Sequence, residues 1–145
     1  MNMMKTPSQM ICLVLVVFLG LALCSLSSAA ETPPSGTSGI ALVRGVMCES
    51  INGYEPRNSA VVFSIDVGRI SCFTAFDRIT TTTAALHKWY RRDELVTTKR
   101  LTLKPPRWAT YSSIQLREAD KGPWHVDIYD DDNHLLDTLR FSVTD

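Results

Sequence analysis

Three histidines, His87, His125 and His134, are the side chains best placed for proton transfer or metal ligation. A general base needs a partner that orients it and a nucleophile within reach. Neither G-x-S-x-G, H-E-x-x-H nor C-x-x-C occurs. His87 therefore reads as a half-buried histidine hydrogen-bonded between sheets. His125 and Asp127, two apart, share one face of a strand. With His134 across the next turn they offer a weak divalent site, but metal sites generally need three or four ligands and a supporting outer layer. A solvated polar face is the simpler reading. Asp130-Asp131-Asp132-Asn133 lacks the glycine and distant glutamate of an EF-hand and reads as a hairpin turn. No catalytic residue, cofactor or metal is expected. A small metal-dependent hydrolase using His87, His125 and Asp127 stands as an alternative.

Tryptophans are the other chemistry-bearing group, because flat aromatic rings stack on sugar faces. Trp124 alternates with Val126 and Ile128 and belongs to a core. Trp89 shares a face with Ala85 and His87, as a central-strand tryptophan of a sandwich does. Trp108 shares a face with Thr110 and Ser112, a more polar set, and is expected to be partly exposed. The expected ligand contacts are Arg107, Trp108 and Ser112, with His87 and Trp89 shaping the interior beside them. Arg91, Arg92, Lys99, Arg100, Lys104 and Arg107 gather around one hairpin. They form either a patch for an anionic partner or a charged edge that blocks strand-to-strand aggregation.

The elements that must position these groups are strands. The chain has 145 residues and formal net charge +0. That is one domain's length. The charge balance argues against a nucleic-acid or anionic-membrane binder, and the hydrophobic content argues against disorder. Residues 1–30 run from Lys5 through the apolar stretch Ile11–Cys24 to Ser28 and Ala30, the pattern of a cleaved secretory signal. A retained anchor or a lipid on Cys24 competes with it. Residues 31–39 (ETPPSGTSG) read as a flexible linker, and 40–145 as the domain. In an oxidising compartment Cys48 and Cys72 are expected to pair, closing a loop that adds about 3 kcal/mol of stability.

From Ile40 onward apolar residues alternate and β-branched and aromatic types dominate. Strands are expected at 40–47, 61–67, 70–76, 81–90, 95–103, 108–116 and 124–129, with a last one around Leu139–Val143. Residues 49–59 are expected to be a loop. The result is an all-β, immunoglobulin-like antiparallel β-sandwich of seven to eight strands, with a small β-barrel as the alternative.

Several landmarks then fall in a familiar order: Cys48-Glu49-Ser50, Ser71-Cys72-Phe73-Thr74, His87-Lys88-Trp89-Tyr90, Arg107-Trp108-Ala109-Thr110-Tyr111-Ser112-Ser113 and Gly122-Pro123-Trp124-His125-Val126-Asp127. Over residues 46–143 the chain resembles the bacterial family called Domain of Unknown Function 2914. Asn133 stands where that family usually has glycine, and Ala109 where it often has arginine. The resemblance implies an exported β-rich domain and no particular reaction. The function expected is a non-enzymatic binding or interaction module in the periplasm or cell envelope, or secreted. A protein or glycan partner is expected, with no nucleic acid and no stable membrane span after cleavage. A structural subunit of an extracytoplasmic assembly is the other non-catalytic reading.

Overall fold

The computed structural model describes residues 39–145. The expected signal segment, and all but the last residue of the expected linker, lie outside the described residues. Nine strands follow one another: β1 (Ala41–Asn52), β2 (Glu55–Ser59), β3 (Val62–Ser64), β4 (Arg69–Asp77), β5 (Thr83–Arg91), β6 (Glu94–Leu103), β7 (Trp108–Gln115), β8 (Gly122–Asp130) and β9 (Leu135–Thr144). Short 3-10 turns occupy Ile65–Val67 and Glu118–Asp120. No helix among the described residues is long and apolar enough to cross a membrane.

Two sheets face each other, in the orders β2-β1-β4-β7 and β3-β9-β8-β5-β6. Neither closes into a barrel. All pairings are antiparallel except β3 with β9. In immunoglobulin lettering β1, β4 and β7 take the places of strands A, B and E, and β9, β8, β5 and β6 those of G, F, C and C′. The sandwich is therefore immunoglobulin-like, with β2 added outside β1 and, among the described residues, no strand in the D position beside β7.

Two tight hairpins set the register. Gly53 (φ 56°) and Tyr54 (φ 67°) link β1 to β2, and Arg92 (φ 49°) and Asp93 (φ 65°) link β5 to β6. Positive φ at both loop residues matches the right-handed twist of the flanking strands. The expected loop at 49–59 is thus a hairpin. Its return strand, Glu-Pro-Arg-Asn-Ser, sits at a sheet edge and is mostly exposed, so it carries no apolar alternation. The strand expected at 61–67 shrinks to Val62–Ser64. The Ser64 hydroxyl accepts from the Asp66 N–H at 3.1 Å, and Gly68 (φ 67°) ends the turn that replaces the strand.

The inward rows are apolar. Phe141 touches Phe63 and Trp89 edge-on and stacks on Trp124, with ring centroids 6.0–6.2 Å apart. Ile70, Phe76, Val126 and Ile128 complete the centre.

The expected disulfide is corrected: Cys48 and Cys72 are both free and buried. Cys72 pairs with Met47 across β4 and β1, and Cys48 pairs with Ser71. Side chains of consecutive strand residues point to opposite faces. The Cys72 thiol therefore enters the core while Cys48 faces outward, its thiol donating to the Ser71 carbonyl at 3.6 Å. Burial pushes both thiols above their ordinary range.

Candidate functional site

The residues singled out from the sequence separate into a buried cluster and a surface rim. His87 and Trp89 lie on the inward face of β5, and Ser112 on the inward face of β7; none is more than 6% exposed. The Trp89 indole N–H donates to Ser112 Oγ at 3.0 Å. His87 Nδ1 lies 2.8 Å from the same oxygen, and His87 Nε2 lies 3.1 Å from Thr74 Oγ1. Thr74 is on β4 and His87 on β5, so the imidazole bridges the two sheets.

One neutral imidazole satisfies both hydroxyls in either tautomer, because serine and threonine can each donate or accept. A second ring proton would bury a charge and take from one of the two hydroxyls the ring nitrogen that accepts its proton. Burial accordingly holds the His87 pKa down to about 4. The histidine expected to be half-buried between sheets is in fact completely buried between them.

The polar row Trp108, Thr110, Ser112 points inward. Within it the Ser112 hydroxyl serves the interior groups Trp89 and His87. Trp108, half-buried, packs against the core and lies beneath the Lys104 ammonium, 5.6 Å from its ring centroid. Arg107 is exposed, and its Nε donates to Asp77 at 3.2 Å. The Arg78 backbone N–H and then Arg107 hold the Asp77 carboxyl below its ordinary range. Val43, Ala75 and Ala109 join Asp77, Arg107 and Trp108 around a shallow groove of about 340 Å³.

That groove continues onto a surface that was not legible in the sequence. The outward rows of the four-stranded sheet run Val46–Phe73–Tyr111 and Arg44–Ala75–Ala109. A β-bulge between Leu42 and Arg44 throws Val43 outward, 61% exposed. Phe73 faces away from the core yet is only 3% exposed, because neighbours on both sides and the Arg44 guanidinium, 5.6 Å from its ring centroid, cover it. Tyr111 beside it is 47% exposed. The sign of this face in β4 is Phe73 and Ala75 opposite the inward Ile70, Cys72 and Phe76, which reads as a strand buried on both sides.

Residues 82–143 match the model of the family described as "Protein of unknown function (DUF2914)". Over that span the chain is similar to the DUF2914 family. None of the curated proteins compared matches it. The matched part holds β5 to β9, and so His87, Trp89, Arg107, Trp108 and Ser112. Thr74, both buried thiols and most of the apolar outer face precede it.

The residues of the hydrolase and metal alternatives do not assemble in this structure. His87 points into the core, whereas His125 and Asp127 lie on the outer face of the same sheet. His125 stacks on Tyr90 at 4.6 Å, and Asp127 Oδ1 accepts from the Thr138 hydroxyl at 2.7 Å. His134 turns to Asp130 instead: the carboxylate accepts from the His134 backbone N–H at 2.8 Å, and its other oxygen lies 3.0 Å from Nδ1. Asp130, Asp132 and His134 hold ligand atoms within 4.8 Å of one another, an arrangement that closes the β8–β9 turn. The basic residues are dispersed too. Arg91 binds Asp120 at 2.8 Å, Arg100 binds Asp131 at 2.6 Å and Arg107 binds Asp77.

Proposed function

We propose that this domain is a non-enzymatic recognition module that works outside the cytoplasm, in the periplasm or at the cell envelope. The observation that carries the recognition role is the outer face of the four-stranded sheet, where Val43 and Tyr111 stand exposed on either side of the buried Phe73, with Arg107 and Trp108 at its rim. An outward sheet face in contact with water is normally polar. Contiguous exposed apolar surface rimmed by charge marks a contact site. The export part rests on the leader-like order of residues 1–30. Arg107 and Trp108 act as rim contacts, while His87, Trp89 and Ser112 hold the two sheets in register beneath them.

A photo-crosslinking residue placed at Val43 or Tyr111 in the producing cell tests the surface. A discrete protein or glycan adduct is expected from these positions and not from Thr98, on the outer face of the other sheet. Equal labelling from all three, or none from Val43 and Tyr111, overturns the role. Fractionation tests the compartment: the full chain is expected outside the cytoplasm, and a chain lacking residues 1–30 inside. Cytoplasmic recovery of both refutes export.

A further inference from the structure

Four strands lie at sheet edges: β2, β7, β3 and β6. An edge strand presents unpaired N–H and C=O groups, and proteins blunt such edges with proline, charge, bulges or brevity. Three of the four are blunted. β2 carries Pro56 and Arg57 within five residues. β3 is three residues long. β6 carries Lys99 and Arg100, and a bulge interrupts its pairing with β5. β7 has none of these devices. Its eight residues, WATYSSIQ, include no charge and no proline, and its register with β4 is unbroken. Among the described residues it pairs with β4 alone, and the D position beside it is empty.

We infer that the free edge of β7 takes up an extended acidic segment of a partner protein as an added strand. Main-chain hydrogen bonds supply affinity in such additions, and alternate side-chain pockets supply specificity. Beside β7 the sandwich opens into a cleft of about 500 Å³ toward β6, floored by Trp124 and Ile114 and lined by Lys99 and Arg117. The inward side chains of an added strand enter this cleft. Its one carboxylate, Asp120, lies 2.8 Å from Arg91 and 3.9 Å from Arg117, so these two arginines and Lys99 outnumber it and leave the surroundings cationic. The Arg117 side chain is 87% exposed. Charge complementarity therefore selects acidic side chains at the inward positions. The outward side chains extend the apolar face, and in that respect the inference rests on the recognition role proposed above.

The test uses the purified full chain and an eight-residue peptide alternating threonine with glutamate. Hydrogen exchange is expected to slow at least about tenfold in residues 108–115 on adding peptide. The same peptide N-methylated at alternate residues gives no protection, and one with lysine for glutamate binds at least tenfold more weakly. Lys99→Glu narrows or reverses that preference, and Tyr111→Lys, a charge set beside the edge, removes the protection. Absence of cellular crosslinking from Val43 and Tyr111 with retained peptide protection defeats the recognition role and not the edge. Equal binding by the N-methylated peptide, or unchanged exchange in β7, overturns the inference. Peptide-independent protection that grows with protein concentration, with dimers in sedimentation, also overturns it and assigns the edge to a second copy.

Discussion

At the scale of single residues, the interior is organised by donors that need acceptors. Ser112 accepts the Trp89 indole proton and meets His87 Nδ1, so one hydroxyl serves two buried groups. Ser112→Ala strands both. The expected loss is about 1–3 kcal/mol in urea unfolding, and Ser112→Thr is expected to recover part of it. His87 makes stability depend on pH. Its folded pKa of about 4 lies below the unfolded value near 6.5. Above about pH 6.5 both states are neutral and the full stability is present. Between 6.5 and 4 the unfolded chain binds a proton that the folded chain refuses, so stability falls by about 3 kcal/mol over that window and then levels. His87→Gln keeps polar atoms near the hydroxyls without titrating. The difference between its pH profile and that of the parent isolates the effect; parallel profiles from pH 7 to pH 4 refute it. The thiols make a second check. Peptides bearing Cys48 and Cys72 are expected to be alkylated after denaturation without any reductant, and protected before it. Alkylation that requires a reductant restores the disulfide.

At the scale of elements, hairpins and edges carry the argument. Both two-residue turns force side chains into left-handed backbone, and three of the four positions are not glycine. Tyr54→Gly removes that strain, offset partly by the greater freedom of the unfolded glycine chain. A gain of about 0.5–1 kcal/mol in thermal unfolding is expected, and a loss shows that the exposed tyrosine ring makes contacts worth more than the strain. The return strand β2 was missed in the sequence because an edge strand exposed on both sides needs no hydrophobic alternation. The β5–β6 hairpin was legible because Arg91-Arg92-Asp93-Glu94 separates two runs that do alternate.

At the scale of the molecule, the immunoglobulin-like order places the polar bridge and the proposed contact surface on opposite sides of one sheet. β4 sends Thr74 and Cys72 inward and Phe73 and Ala75 outward, so every change in its register disturbs both. The outer face, being apolar and partly open, is expected to give a domain whose solubility improves with Val43→Asp or Tyr111→Lys while its unfolding midpoint moves by less than about 0.5 kcal/mol equivalent. Static light scattering with parallel denaturant titration measures both quantities, and unchanged scattering argues that the face is too small to matter.

The letters alone determined the strand-only architecture, the inward placement of Trp89 and Trp124 and the likeness to DUF2914, because periodicity and composition are local properties that one chain displays directly. Local pattern has no means of telling which strands meet. The tertiary structure decided that Cys48 and Cys72 face apart, that Ser112 meets Trp89 and His87 in the core, and that Phe73 lies on an outer face. Each depends on register between strands distant in sequence, where a shift of one residue exchanges the two faces of a sheet.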